Sequence, residues 1–241
     1  MYKTSIYNQD NKNRPGHKEF DWQMYFFPGS VEKIIEKIEP GYIISRAREH
    51  LKENKFRLTL ALDKMMGKLL KGREPHNPRT LELGAATGVL TRWFIEKYGG
   101  TGVLVDNSEA SFQAYNTMKY DLKQYMTYIK ADLFKLELEQ RFDLVCSFGL
   151  MEHFEDKKNL LEVHKRFVVP GGMIVIIVLM DTPLTRTFFE LYPELNLGYR
   201  ELLKEREFKD ILTRHGLEIT RTQSSKGYSY DFLGSLCKIA L

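Results

Sequence analysis

The sequence predicts an α/β fold: a seven-stranded, mostly parallel sheet with an antiparallel C-terminal strand, helices on both faces, and an N-terminal α-helical cap. Three observations lead to this prediction. Strand-like and helix-like segments alternate from residue 80 onward, which is typical of a parallel sheet. A tight glycine turn joins the first strand to its helix. The last two strand-like segments lie so close together in sequence that they predict an antiparallel hairpin.

The N-terminal third differs from the rest in composition. Residues 1–17 are polar without periodicity and predict a loosely docked arm, whereas five aromatic residues crowd into residues 20–27. An apolar stripe with helical spacing then runs from Ile44 to Leu69 and ends before a stretch rich in glycine and proline. We therefore predict an arm and helical cap over residues 1–77. The aromatic segment is interpreted either as a core patch of this cap or as a lid over a ligand.

The main domain is predicted over residues 78–241. Its strands are expected near 80–84, 101–106, 126–130, 142–147, 172–180, 217–223 and 229–240. Its helices are expected near 88–98, 108–123, 155–168 and 201–215. Residues 181–200 hold two prolines and an aromatic cluster, which predict an insertion over the sheet edge, and residues 224–227 predict the turn of the final hairpin.

Length, charge and cysteine usage limit the class of protein. The chain has 241 residues, of which 43% are hydrophobic, and its longest apolar run, Met173–Met180, is far shorter than the roughly 20 residues of a membrane helix. No signal peptide opens the sequence, so we expect a cytoplasmic protein without membrane association. Cys146 and Cys237 lack the paired spacing of a disulfide framework or a zinc site, and we expect no metal.

The stretch from Glu82 to Gly88 marks the start of a ligand site. Gly84 and Gly88 can adopt backbone angles closed to other residues and have no Cβ to obstruct a bound molecule. The helix that follows directs free N–H groups and its positive end at the same point. The pattern predicts that a ligand approaches bare backbone here.

The ends of the next three strands carry further candidate residues. Ligands of an open parallel sheet bind beyond the carboxyl ends of its strands. The pairs found there are Asp106-Asn107, Asp132-Leu133 and Ser147-Phe148. Asp106 follows the glycine turn by about 20 residues, a spacing suited to accepting hydrogen bonds from both hydroxyls of a ribose. As alternatives, Asp132 caps a turn, and Asp106 only ends a strand before a Ser108 helix cap.

Two common nucleotide patterns fail at the glycine turn. A dinucleotide fingerprint needs glycine at positions 84, 86 and 89, which here are Gly, Ala and Val. A phosphate-binding P-loop needs Gly-Lys-Ser/Thr, but Gly88 is followed by Val89 and Leu90. The turn therefore lacks a pyrophosphate cradle.

These residues resemble the class I S-adenosylmethionine-dependent methyltransferases, over about residues 78–241. The final antiparallel hairpin is similar to the one that distinguishes this Rossmann-like fold from the dinucleotide-binding one. The family's first motif, Glu/Asp-x-Gly-x-Gly-x-Gly, stands here as Glu82-Leu83-Gly84-Ala85-Ala86-Thr87-Gly88, with Ala86 in place of the middle glycine. The resemblance implies S-adenosylmethionine as methyl donor and S-adenosylhomocysteine as product.

The resemblance also implies the parts of a cofactor site. The turn, with Gly84, Ala85, Ala86, Thr87 and Gly88 following Glu82, would face the methionine portion. Asp106 would hold the ribose with Asn107 beside the adenine. Asp132 and the backbone N–H of Leu133 would bind the adenine, and Ser147 and Phe148 would line the sulfonium side.

Methyl transfer from a sulfonium mainly requires alignment of the acceptor and exclusion of water. His153 is the candidate general base, and Glu152 would orient it or pair with a substrate cation. The alternative is a structural role, in which His153 holds its loop against the next helix.

The expected acceptor is an O or N atom of a small molecule, with specialised biosynthesis as the setting. Ser147-Phe148-Gly149-Leu150 replaces the Asp/Asn-Pro-Pro-Tyr/Phe of base-nitrogen methylation, and no basic stripe is present, so nucleic acid is disfavoured. Residues 1–76 hold 15 Lys/Arg against 10 Asp/Glu, which leaves methylation of a protein, peptide or RNA docked on a basic cap as the alternative. A non-catalytic cofactor-binding scaffold and a homodimer also stay open.

Overall fold

The computed structural model of the protein describes residues 2–3, 60–117, 121–191, 199–225 and 230–240. The predicted arm beyond Lys3, the aromatic segment 20–27 and most of the predicted cap lie outside the described residues, as do parts of the insertion and of the hairpin turn. In the described ranges, no helix combines the length and apolar character needed to cross a membrane.

The strands and helices follow the predicted alternation. The strands are β1 Tyr2–Lys3, β2 Arg79–Leu83, β3 Thr101–Asp106, β4 Met126–Lys130, β5 Phe142–Phe148, β6 Val168–Leu179, β7 Glu201–Leu202, β8 Leu217–Ser225 and β9 Phe232–Ile239. The helices are α1 over residues 60–70, α2 Val89–Tyr98, α3 Glu109–Thr117, α4 Lys157–Phe167, α5 Pro183–Leu191 and α6 Glu205–Arg214. Two 3₁₀ turns cover Asp121–Tyr125 and Met151–His153.

Seven strands form one sheet in the order β4-β3-β2-β5-β6-β9-β8. In this sheet β9 pairs antiparallel with both β6 and β8 and so runs opposite to the other six strands, which confirms the predicted mostly parallel sheet with an antiparallel C-terminal strand. The carboxyl ends of β2 and β3 are in register, since Leu83 pairs with Val105, and Asp106 pairs with Lys130 at the end of β4. The sheet therefore brings the predicted strand-end residues to one edge.

Helices cover both faces of the sheet, and the alternation along β5 shows how. Leu144 and Cys146 pack into one core cluster with apolar residues of α1 and α2. Val145, between them, belongs to the cluster on the opposite face, which contains residues of α4 and α6. Both cysteines are buried free thiols. Helix α1 is the described part of the predicted cap, and it packs directly on the sheet.

Strand β6 begins four residues earlier than the sequence predicts. The Pro170-Gly171-Gly172 stretch was expected to separate helix from strand, but Val168 already pairs with Phe142. The pairing resumes at Leu144 and Met173, so the intervening residues form a bulge. Gly171 has φ +77°, a left-handed conformation that lets the strand bend without breaking.

Helix α6 also differs from the prediction, because it starts at Glu205 rather than near residue 201. The carboxylate of Glu207 accepts a hydrogen bond from the backbone N–H of Lys204 at 3.0 Å and thereby fixes the helix start. The residues just before it form β7, which pairs antiparallel with β1. This short pairing was not predicted.

Arg221 on β8 fastens helix α1 to the sheet. Its Nη1 donates to the carbonyl oxygens of Lys68, Leu69 and Lys71 at 3.0, 3.2 and 2.7 Å, at the end of the helix where carbonyls lack partners within the helix. We expect Arg221→Met to lower the free energy of unfolding by about 2 kcal/mol, since charged hydrogen bonds are lost. Urea unfolding measures this, with Lys238→Met on the same hairpin as the control. Equal effects of the two substitutions would contradict the anchoring role.

Candidate active site

The glycine turn after β2 is built from three residues in the left-handed conformation. Gly84, Ala86 and Gly88 have φ of +61°, +48° and +75°. The turn is closed by a 2.7 Å hydrogen bond from the N–H of Gly88 to the carbonyl of Ala85. Helix α2 starts immediately afterwards, so its N-terminus opens beside the turn. The turn and the start of helix α2 therefore meet at the predicted point, but the N–H groups of Leu90 and Thr91, which the sequence predicts to be free, donate to Glu82.

Ala86 occupies its conformation at an energetic cost. A left-handed backbone costs alanine about 1 to 2 kcal/mol. Glycine avoids this cost, but it loses more backbone entropy on folding, so only part of the cost is recovered by a substitution to glycine. We expect Ala86→Gly to raise the free energy of unfolding by about 0.5 to 1 kcal/mol and to leave cofactor affinity within about twofold. Chemical denaturation and titration calorimetry measure the two quantities. Ala85→Gly is the matched control, and it should destabilise because Ala85 is buried and has no positive φ.

The turn lies directly against the loop that follows β5. A Cβ placed on Gly84 would lie 2.4 Å from Cδ1 of Leu150, closer than any real contact. Leu150 immediately precedes the 3₁₀ turn Met151–His153. The sheet thus brings the predicted cofactor turn and the candidate base into neighbouring loops.

Asp106 links the end of β3 to the glycine turn. Its Oδ2 accepts the backbone N–H of Ala86 at 2.9 Å, and its Oδ1 accepts the N–H of Ser108 at the same distance. Burial raises the pKa of this carboxyl group, while the two hydrogen bonds oppose the shift. Asp106 therefore holds the turn that would contact the methionine portion and stands at the position predicted for the ribose. Asn107, next to it, is exposed.

Glu82 is buried beneath the turn. Its two carboxylate oxygens accept the N–H groups of Leu90 and Thr91 at 3.2 and 2.7 Å, so the side chain caps helix α2 from inside the sheet. Burial raises the pKa of Glu82 to about 7, although these hydrogen bonds work against the rise. Glu82 fixes the helix start, and through it the shape of the cofactor turn.

Asp132 caps a turn, which is one of the two roles considered for it from the sequence. Its Oδ1 accepts the N–H of Phe134 at 2.9 Å, and its backbone carbonyl accepts the N–H of Lys135. Leu133 lies inside this turn. Phe134 meets Phe154 edge to face with ring centroids 5.4 Å apart, so the loops after β4 and β5 touch. The turn places Asp132 and Leu133 at the common edge, where their adenine contacts stay a prediction.

The side chains of Ser147 and Phe148 point in different directions. The Ser147 hydroxyl is fully buried and donates to Nε2 of His164 at 3.0 Å, while Nδ1 of His164 donates to the carbonyl of Leu160. Ser147 thus offers only its backbone to a ligand at this edge. Phe148 is half-buried and packs on Phe232, with ring centroids 5.6 Å apart. No pattern in the sequence predicts that His164 belongs to the core.

The two candidate catalytic residues have different surroundings. Glu152 is only 1% exposed, and its Oε1 accepts the backbone N–H of Leu179 at 3.3 Å. Nδ1 of His153 lies 2.9 Å from the carbonyl of Tyr199. Because a carbonyl can only accept, Nδ1 carries the proton and Nε2 carries the lone pair. The Tyr199 carbonyl therefore orients His153, and Glu152 binds the backbone at the end of β6.

The environment of His153 keeps its ring neutral. Burial, reinforced by the nearby Arg200 and Lys157, lowers the pKa of His153 to about 3. An imidazolium would form in a half-buried position, partly withdrawn from water and beside two cations. His153 can accept a hydrogen bond at neutral pH, but it is a weak base.

Charged residues surround His153 that were not identified from the sequence. Lys157 and Glu201 form a buried ion pair at 3.1 Å, and Tyr199 donates its hydroxyl to the same carboxylate at 2.8 Å. Arg200 lies over the ring of Phe189 at 4.1 Å. No spacing in the sequence links these residues, since Lys157 starts a helix and Glu201 follows the insertion.

The residues of this edge fit S-adenosylmethionine. Side chains at Gly84 and Gly88 would collide with Leu150 and Leu104, so the close packing of the turn against its surroundings requires glycine at both positions. Asp106 is a carboxylate at the position predicted for the ribose hydroxyls, and the turn has no lysine for a phosphate. Across the described ranges, no three His, Cys, Asp or Glu side chains are grouped closely enough to hold a metal ion.

This strand order, with a glycine turn and an acidic strand end at the switch point, defines an α/β protein of the nucleoside-binding type. The family described as a methyltransferase domain matches residues 47–222. The protein belongs to the class I S-adenosylmethionine-dependent methyltransferases.

The individual relatives found by sequence have low identity to this chain. Malonyl-[acyl-carrier protein] O-methyltransferase 2 of Ilyobacter polytropus is 26% identical over 117 residues, which are 48% of this chain and 43% of that protein. The mitochondrial ubiquinone biosynthesis O-methyltransferase of Dictyostelium discoideum is 22% identical over 206 residues, 74% of this chain and 62% of the relative. The chain thus spans less than two thirds of the length of these two relatives.

A solved structure shares the fold. The crystal structure of magnesium protoporphyrin IX methyltransferase from Synechocystis PCC 6803 with bound S-adenosylhomocysteine has a TM-score of 0.62 and 16% identity, and the match covers 91% of this chain and 98% of the other. The likeness extends over nearly the whole of both chains and so includes the sheet that carries the candidate site.

Proposed function

We propose that the protein transfers a methyl group from S-adenosylmethionine to an O or N atom of a small-molecule acceptor. The observation that carries this proposal is the contact between the glycine turn and the loop after β5. This contact joins the predicted cofactor turn to the loop that carries the half-buried His153, and it supports the proposal. The sequence relatives support the small-molecule class, because their names describe O-methyltransferases of malonyl-[acyl-carrier protein] and of ubiquinone biosynthesis.

The cofactor supplies an activated methyl group, and the protein's residues supply alignment. Asp106 and the turn from Gly84 to Gly88 would fix the nucleoside and the methionine portion. Glu82 keeps the start of α2 in place beneath them. Reactants held in line within a dry site need little further help, so proximity and orientation carry most of the rate.

His153 would act on the acceptor through Nε2. Its neutral ring presents a lone pair that can accept the hydrogen bond of an acceptor hydroxyl or amine. With a pKa of about 3, the ring orients the nucleophile better than it removes its proton.

We expect His153→Gln to lower kcat by about tenfold and to leave the affinity for S-adenosylmethionine unchanged, because one orienting hydrogen bond is lost. Between about pH 5 and pH 8, the pH profile of kcat/KM should have the same shape in the native protein and in the variant. A loss of about 100-fold or more, together with a limb in the native profile that the variant lacks, would instead identify a general base.

The function itself is tested with the full chain and radiolabelled S-adenosylmethionine. A panel of hydroxylated and aminated small molecules is offered, and S-adenosylhomocysteine formation is measured for each. Turnover with at least one acceptor is the expected result. Cofactor binding without transfer to any acceptor would support the scaffold alternative. Transfer only to proteins or RNA would support docking on the basic N-terminal region.

A further inference from the structure

We infer that Lys157 is a positioning residue that acts on His153 through Tyr199. Only the expected effect of Lys157 on the methyl-transfer rate rests on the proposed function. The buried Lys157–Glu201 ion pair fixes the segment that carries Tyr199. The Tyr199 carbonyl in turn keeps His153 protonated at Nδ1, so that the lone pair stays on Nε2.

Lys157 is buried in an unusual manner for a lysine. Only 7% of it is exposed, and its Nζ reaches Glu201 Oε2 at 3.1 Å, donates to the Phe154 carbonyl and lies 5.6 Å from the centroid of the Tyr199 ring. Phe154 directly follows His153, so one ammonium contacts both the loop of His153 and the facing segment. Removing a single partner of such a pair leaves the other charge buried.

The facing segment is held at two points by this arrangement. Glu201, which is 6% exposed, accepts the Tyr199 hydroxyl at 2.8 Å on the oxygen that also meets Lys157. The Tyr199 carbonyl then accepts Nδ1–H of His153 at 2.9 Å. Further along, the carbonyl of Leu203 accepts the N–H of Asp181 at 2.9 Å, which ties the segment to the end of β6.

The chain of contacts sets a tautomer as well as a position. If the Tyr199 carbonyl moves away, Nδ1 loses its acceptor and the proton becomes free to sit on Nε2. If Nε2 carried the proton, the ring would present an N–H donor to the methyl acceptor. The hydroxyl or amine of the methyl acceptor is itself a donor at this point, so no hydrogen bond between the two donors could form. The neighbouring charges are Glu152 and Arg200 on the same side and the Lys157–Glu201 pair itself, all of them buried.

The test reads the tautomer directly, without a substrate. Lys157→Met removes the ammonium but keeps the aliphatic stem, and ¹⁵N chemical shifts of the His153 ring report which nitrogen is protonated. The His153 signals are assigned by their loss in His153→Gln. We expect the native ring to be almost entirely Nδ1-protonated and the variant to be a mixture of tautomers, with kcat about tenfold lower and the affinity for S-adenosylmethionine unchanged.

Three further variants complete the design. Lys165→Met is the matched control: this lysine is on the same helix and contacts Glu162 and the His215 carbonyl, so its loss should leave the His153 shifts unchanged. Lys157→Arg should restore much of the native tautomer. Tyr199→Phe, which removes only the hydroxyl bond to Glu201, should shift the tautomer in the same direction and serves if Lys157→Met does not fold.

The outcomes separate the two proposals. Native His153 shifts in a folded Lys157→Met protein, or in Tyr199→Phe if the first does not fold, overturn the inference. The same holds if Lys165→Met changes the shifts equally. A tautomer shift in a protein that methylates no small molecule upholds the positioning role and rejects the proposed function.

Discussion

Asp106→Asn is expected to raise the dissociation constant for S-adenosylmethionine by about 100-fold, equivalent to about 3 kcal/mol. The carboxylate accepts the N–H groups of Ala86 and Ser108 on its two oxygens. An asparagine keeps one acceptor oxygen and directs an amide N–H₂ group at the other donor. The turn would lose a charged hydrogen bond, and the ribose would lose its anionic acceptor.

Titration calorimetry measures this effect, with Glu109→Gln as the matched control. Glu109 lies at the start of α3 and pairs on the surface with Lys130, so its substitution removes a nearby negative charge and leaves the turn intact. The control should change the affinity by no more than about twofold, as is typical of surface ion pairs. An Asp106→Asn protein that is folded and binds within about threefold of the native affinity would refute the assignment of Asp106.

The free energy of unfolding of Glu82→Gln, measured relative to that of the native protein, is expected to increase with pH. This difference should be about 3 kcal/mol more favourable to the variant at pH 8 than at pH 4.5. In the folded protein the pKa of Glu82 is about 7, raised from 4.5 chiefly by burial. Between these values the folded state keeps a proton that the unfolded state releases. The stability contributed by the protonated group is complete below about pH 4.5 and is lost as the pH rises through 7.

The comparison requires the difference between variant and native stability. Burial lowers the pKa of His164 to about 4 and that of His153 to about 3, so these histidines destabilise the fold as the pH falls. Their contribution is common to both proteins and cancels. Urea unfolding at several pH values, with the exposed Glu218→Gln as the control, gives the difference. A difference that does not vary with pH would show that folding does not raise the pKa of Glu82.

The position of the candidate site could be predicted from the sequence because the ends of parallel strands share one edge of the sheet. Periodicity identified β2 to β5, and their ends then had to meet, which placed Gly84, Asp106 and Asp132 together before any contact was known. The turn chemistry of glycine further predicted the left-handed conformations at positions 84 and 88. Ala86 shares that conformation, and no local pattern marks an alanine for it.

Directions and partners of side chains could not be obtained in the same way. Glu82 reads as part of a cofactor motif, yet both of its oxygens bind the helix that follows. The ion pair between Lys157 and Glu201 joins residues on either side of an insertion, and each looks like an ordinary surface charge in its own segment. β1 has only two residues and thus no period from which to predict it.

The anchoring of helix α1 by Arg221 has a consequence for how the domain opens. β8 has β9 as its sole neighbour in the sheet, and its Arg221 reaches carbonyls about 150 positions earlier in the chain. When the edge of the sheet frays, the end of α1 loses its cap at the same moment. We therefore expect the end of α1 and strand β8 to open together, so that hydrogen exchange measures similar opening free energies for their amide protons.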